Sequence, residues 1–184
     1  MKPRFIFIHG NGATTWQVPW AVWLQTKLAA RGYKTLFETM PDPEQARASI
    51  WLPHIEQTLQ AGPDDVLIGW SSGAVAAMRY AETHKLRGSI LIAPCYTDLG
   101  EESERLSGYY DEPWQWGTIK SNQKKIALVS SDNDPFIPQS EFAYIAVHIG
   151  PDKLKIPGAG HFMDRQDMPE VLRYIESTYP PVKS

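Results

Sequence analysis

Short apolar runs alternate with longer amphipathic stretches along this chain. The runs at 5–9, 34–37, 66–69, 89–93, 125–130 and 152–156 read as strands, being short, apolar and bounded by turn residues. Between them the spacing of apolar positions predicts helices near 19–31, 44–60, 73–83, 139–147 and 168–179. Gly32 follows the first helix, and "PDPEQA" opens the second with acids and prolines, as helix ends require. Strand and helix in alternation imply an α/β fold built on a mainly parallel, doubly wound sheet of about six strands. The runs at 66–69 and 89–93 are apolar throughout, as in strands covered by helices on both faces. Only 94–124, rich in Tyr, Trp, Gly and acids, shows no clear period, and so long an aperiodic stretch is often functional. No repeat, low-complexity tract or linker divides the chain, so one domain over 1–184 is expected.

Composition narrows the classes. With 184 residues, 42% hydrophobic and 21% charged, the chain suits a globular domain with a sizeable core. A net charge of −3 without any dense Lys/Arg block argues against nucleic acid or a membrane surface as partner. No apolar run approaches the ~20 residues that cross a bilayer. The opening "MKPRFIFIHG" sets basic residues before apolar ones, as a secretory signal does, but its apolar part covers only 5–8. A single cysteine, Cys95, excludes an internal disulfide and a cysteine-based metal site, and makes the cytoplasm the expected compartment.

Chemistry enters at "VLIGWSSGAVAAMRYA", 66–81. Gly69-Trp70-Ser71-Ser72-Gly73 fits G-x-S-x-G in one register, with Ser71 at the centre. A nucleophile on a tight strand-to-helix turn has a strained backbone, and side chains two residues to either side would collide there. The helix that follows points free N–H groups and its positive dipole end at the site. The serine needs a base and the base an orienting carboxylate, in the chain order Ser, Asp, His. "IALVSSDNDPFIP" runs from a strand into Asp132 and Asp134, and "LKIPGAGHFMD" runs through a glycine-rich turn to His161. All three groups thus lie beyond carboxyl ends of strands, where open α/β sheets gather their sites. Asp134, one step further out and fixed by Pro135, is the better placed acid, while Asp132 suits local capping of the turn. For the oxyanion, Ser72 offers one backbone N–H and Asn11, in the glycine-bearing loop "FIHGNGATTW", offers the other. "HGNG" lacks the spacing of a phosphate loop or a dinucleotide fingerprint.

These words together resemble the small α/β-hydrolase-fold serine hydrolases that include retinoblastoma-binding protein 9. The resemblance spans nearly the whole chain: "GNG", "MPDP", "ASIWLP", "SSGAVAAMRYAETH", "YTDLGEESER", "PWQW", "DNDPF" and "GHF". It implies a compact hydrolase without a large cap domain and a triad of Ser71, Asp134 and His161. Two departures stand out. The segment matching the family's L-x-C-x-E motif reads Leu59-Gln60-Ala61-Gly62-Pro63, so binding of the retinoblastoma protein is not expected. Trp70 stands before the nucleophile where relatives often carry His, which alters the pocket wall.

The remaining candidates divide less sharply. His9, His54, His84 and His148 lack matching partners and read as surface or structural. Cys95 reads as a buried, inert thiol. Trp20 and Trp23 fit core packing, whereas Trp16 on the oxyanion loop, Trp70 and Tyr96 are candidates for the pocket. Tyr109, Tyr110, Trp114 and Trp116 either line an acyl or aromatic site or anchor the long loop. Glu101, Glu102 and Glu104 read as a solvated helix face. The expected activity is hydrolysis of a small carboxylic ester, thioester or activated amide through an acyl-enzyme, without metal or organic cofactor. A non-catalytic interaction module on the same scaffold and an acyltransferase are the alternatives.

Overall fold

The structure is a computed structural model and describes residues 3–12 and 14–180. Six strands form one sheet: β1 (Arg4–Ile8), β2 (Lys34–Phe37), β3 (Asp65–Trp70), β4 (Leu86–Ile92), β5 (Gln123–Ser130) and β6 (Asp152–Lys155). Their order is β2-β1-β3-β4-β5-β6, and every neighbouring pair is parallel. Parallel strands need crossover segments, which α1 (Pro19–Ala30), α2 (Ala48–Pro53), α3 (Ser72–Ala81), α4 (Glu102–Leu106), α5 (Trp116–Ser121) and α6 (Gln139–Ile149) populate, with α7 (Pro169–Thr178) closing the fold. α1 packs with α7, while α3 packs with α2 and α5, and α5 with α6. All six residues of β3 are buried, as expected of a strand covered on both faces. Among the described residues, no helix is long and apolar enough to cross a membrane.

The order of strands decides where a site can form. From β1 the chain moves outward to β2 at one edge, then returns past β1 to β3 and on to β6. The loops leaving β1 and β3 therefore diverge, and a crevice opens between them at the carboxyl ends. That crevice lies beside Gly10, Asn11 and Ser71.

Sequence and structure part in three places. The second helix begins at Ala48 and not near 44, because Asp42 and Ala46 take positive φ, both 51°. "PDPEQAR" closes instead into a turn in which Asp42 accepts hydrogen bonds from the Arg47 amide and guanidinium. Pro53, lacking an N–H, ends α2, and 54–58 continue as a wider turn with Leu59 N–H reaching the His54 carbonyl at 3.0 Å. The aperiodic 94–124 contains two short helices, α4 and α5. β4 and β5 begin earlier than their apolar runs, since Leu86 pairs with Gln123 and Gly88 with Lys125. Ladder pairing carries these strands past the apolar pattern.

Candidate active site

Ser71 stands between β3 and α3 with φ 54° and ψ −123°, a conformation that side chains rarely adopt. The flanking glycines are what make it possible. A Cβ on Gly69 would lie 2.4 Å from the Gly73 carbonyl oxygen, and one on Gly73 would lie 2.0 Å from that of Ile8. Gly69 lets the chain fold back on itself, while Gly73 lets α3 press against β1. The Ser71 N–H is fastened to the Ile92 carbonyl at 2.9 Å, which ties the bend to the end of β4.

His161 reaches this serine from the turn after β6. Its Nε2 lies 2.9 Å from Ser71 Oγ, and its Nδ1 lies 2.9 Å from Asp134 Oδ2. With Nδ1–H donating to the carboxylate, Nε2 presents a lone pair to the serine O–H. The Asp134 side chain is fully buried, and its Oδ1 accepts the Phe136 and Ile137 N–H groups at 2.9 and 3.0 Å. Burial acts to raise the Asp134 pKa. The hydrogen bond and charge of His161, with the two backbone amides, outweigh it and hold the acid below its ordinary value. The three side chains thus form one continuous chain of hydrogen bonds.

Asp132 does not cap its own turn. It accepts the Gly158 N–H at 2.8 Å, across to the histidine loop. Asn133, which the sequence did not single out, accepts the Gly160 N–H at 2.8 Å, and Ser131 Oγ accepts that of Ala159 at 2.9 Å. Trp70 donates its indole N–H to the His161 carbonyl at 3.0 Å. Residues 158–161 are therefore each held by a different side chain, three from the end of β5 and one from β3. The "SDND" run is legible afterwards as acceptors spaced to meet successive amides.

Ser72 and Asn11 both border the crevice, and among the described residues neither backbone N–H has an acceptor. The Asn11 side chain turns away and donates from Nδ2 to Glu104 Oε1 at 2.8 Å. Below this loop His9 is completely buried, its Nδ1–H donating to the Gly10 carbonyl at 2.7 Å and its Nε2 accepting the Met40 N–H at 2.8 Å. Burial lowers its pKa, opposed by the hydrogen bond to Gly10. His9 is a structural histidine, and His54, His84 and His148 also lie away from Ser71, with His84 stacked on Tyr80 at 4.0 Å.

The crevice encloses about 680 Å³. Of the five aromatic pocket candidates only Trp70 borders it. Trp16 packs edge-on against Phe37, and Tyr96 stacks on Tyr144 at 4.0 Å. Trp114 is held between Arg79 and Trp116, its indole N–H donating to the Tyr96 carbonyl. Tyr96, Trp114 and Trp116 anchor the long segment after β4 by packing on one another and on Tyr144. Glu101 and Glu102 are exposed, as a solvated face requires, and Glu102 pairs with Arg105, but Glu101 also borders the crevice and Glu104 is half-buried against it. Glu104 Oε2 takes the Tyr110 hydroxyl at 3.0 Å, and that hydroxyl lies 3.1 Å from Cys95 Sγ. Cys95 is buried, and desolvation pushes its pKa far up, against the pull of Tyr110. It is an inert thiol at the cleft floor. Glu141, third residue of α6, was also missed. It is buried and bends back to accept the Tyr96 and Thr97 amides and the Thr97 hydroxyl.

A serine hydroxyl hydrogen-bonded to a carboxylate-backed imidazole, beside two unpaired amides, has the parts for acyl transfer. Comparison with known proteins agrees. The profile of the family described as "Serine hydrolase" matches residues 5–173. Serine hydrolase RBBP9 of Rattus norvegicus is 39% identical over 180 residues, covering 97% of this chain and 96% of its own. The crystal structure of the ydeN gene product of Bacillus subtilis superposes with a TM-score of 0.86 at 24% identity, covering 95% of this chain and 97% of that one. The Pyrococcus furiosus esterase PF2001 shares the fold at a TM-score of 0.71 and 15% identity, over 97% of this chain and 81% of its own. The expectation of a capless α/β-hydrolase fold thus holds, and with the family's profile running through nearly every strand of the sheet, this chain belongs to the RBBP9-like serine hydrolases.

Proposed function

We propose that Ser71, His161 and Asp134 are the catalytic triad of a hydrolase for carboxylic esters, thioesters or activated amides. The observation that carries this reading is the unbroken path Asp134 Oδ2–His161 Nδ1 and His161 Nε2–Ser71 Oγ, both at 2.9 Å. His161 takes the Ser71 proton as Oγ attacks the acyl carbon. Asp134 holds the imidazole in the required tautomer and stabilises its cationic form. The negative charge that grows on the carbonyl oxygen meets the backbone N–H groups of Asn11 and Ser72. His161 then protonates the leaving group, an acyl-enzyme forms on Ser71, and water activated by His161 releases the acid. The substrate is a small molecule, the activity resides in one hydrolase domain spanning 1–184, and the single reduced thiol, Cys95, suits the cytoplasm.

A fluorophosphonate probe tests this directly. The wild-type chain is expected to label covalently at Ser71 and Ser71→Ala to remain unlabelled, with ester turnover falling on the order of 10⁴-fold or more. Labelling retained in Ser71→Ala and lost in Ser72→Ala would move the nucleophile by one residue.

A further inference from the structure

Two large apolar side chains stand exposed at the mouth of the crevice: Phe136 is 58% exposed and Met163 51%. Both border the same cavity as Ser71 and His161. The Phe136 ring meets the imidazole edge-on, with centroids 5.1 Å apart, and Met163 follows His161 by two residues. Neither packs into the core. Exposed apolar side chains are ordinary singly, but two beside the same imidazole at one cleft form a surface that an apolar ligand group can cover.

Reaction geometry says what they contact. The tetrahedral carbon bears four groups, and three have fixed directions once the triad reading above is accepted. Oγ comes from Ser71, the oxyanion points to the amides of Asn11 and Ser72, and the leaving-group oxygen must lie within hydrogen-bond reach of His161 Nε2 to receive its proton. The leaving group thus departs along the imidazole, past Phe136 and Met163. The acyl chain takes the remaining direction within the crevice, which Cys95, Leu99 and Glu104 also line. We infer that Phe136 and Met163 form a leaving-group subsite, and that the preferred substrates are esters of bulky apolar or aromatic alcohols. In the first half-reaction the C–O bond to that alcohol breaks, the Oγ–C bond forms, and the serine proton leaves on the alcohol through His161. Nothing else is consumed.

The test compares benzyl and methyl esters of one and the same acid, since the two alcohols differ in size and apolarity but little in acidity. The kcat/KM ratio of benzyl over methyl is expected to be about tenfold or more in the wild type, the range an apolar pocket provides. Phe136→Ala is expected to bring that ratio down about tenfold, and Met163→Ala to reduce it less. The ratio cancels any effect that Phe136 has on the imidazole itself. A wild-type ratio near one, or a ratio unmoved in both variants while both esters slow equally, overturns the subsite. Probe labelling that survives in Ser71→Ala would instead overturn the triad, so the two failures are told apart.

Discussion

His9 shows how much of the site rests on residues that never touch substrate. Both ring nitrogens are committed, one donating to Gly10 and the other accepting from Met40, so only the neutral ring fits. Protonation would leave the Met40 N–H facing a second donor inside the core. His9→Ala is expected to cost about 2–4 kcal/mol, from an orphaned amide and the space left beside Trp51, as read by urea unfolding near pH 7.5. Because the folded pKa lies below the ordinary 6.5, the unfolded chain binds more protons as the pH falls through that value. The contribution of His9 is therefore complete above about pH 6.5 and lost progressively below it. Wild-type stability is expected to drop more between pH 7.5 and 5.5 than that of His9→Ala. An equal drop in both would show that the ring titrates alike in the two states. Nothing in the sequence marks His9 as buried, since "FIHGNG" ends a strand in a way that suits a loop histidine as well as a core one.

Among the elements, the turns after β5 and β6 matter more than the strands they follow. Ser131, Asp132 and Asn133 hold three successive amides of 158–160, and the two Asp134 oxygens are shared between its own turn and His161. The histidine is thereby placed through its main chain as well as its ring. Asn133→Leu removes the acceptor for Gly160 while keeping the branching and the number of heavy atoms. It is expected to lower kcat about ten- to a hundredfold with little change in KM, as a small displacement of a reacting group does. Asn133→Asp keeps the acceptor and is expected to recover most of the loss. A raised KM without rescue would mean that Asn133 shapes the pocket instead. The order strand, Ser71, strand, Asp134, strand, His161 was legible because each group follows an apolar run, and the glycines at 69 and 73 announce the bend that their missing Cβ atoms permit. The partners of Asp132 were not, because a carboxylate at a strand end serves a local turn and a distant amide equally well by type. Nor were the aromatics of 94–124. Tyr96, Trp114 and Trp116 carry no period, and only their stacking on Tyr144 and Arg79 reveals that they turn from the cleft. The start of α2 failed for a related reason, since acids and prolines open a helix and close a turn with the same vocabulary.

For the molecule as a whole, charge adds a selection that the proposed triad does not supply. The net charge is −3, and the crevice is bordered by Glu101, Glu104 and Glu141, with no Lys or Arg among the described residues that line it. These acids lie on the segment after β4 and on α6. A cleft lined by one sign of charge repels ligands of that sign before contact and raises their binding cost after it. A half-ester of a dicarboxylic acid, anionic at the far end of its acyl chain, should accordingly be a poor substrate beside the neutral monoacid ester of equal length. The expected gap in kcat/KM is about tenfold at low salt, carried mostly by the slower approach of the anion. Raising ionic strength from about 0.01 M to about 1 M shortens the Debye length from about 30 Å to about 3 Å, so the gap should narrow without the neutral ester changing pace. Glu101→Gln, exposed and without a part in the triad, should narrow it at low salt as well. A gap that persists unchanged across the salt range would place the discrimination in shape alone, and the acidic wall would then be serving only the loop that Glu104 ties to Asn11.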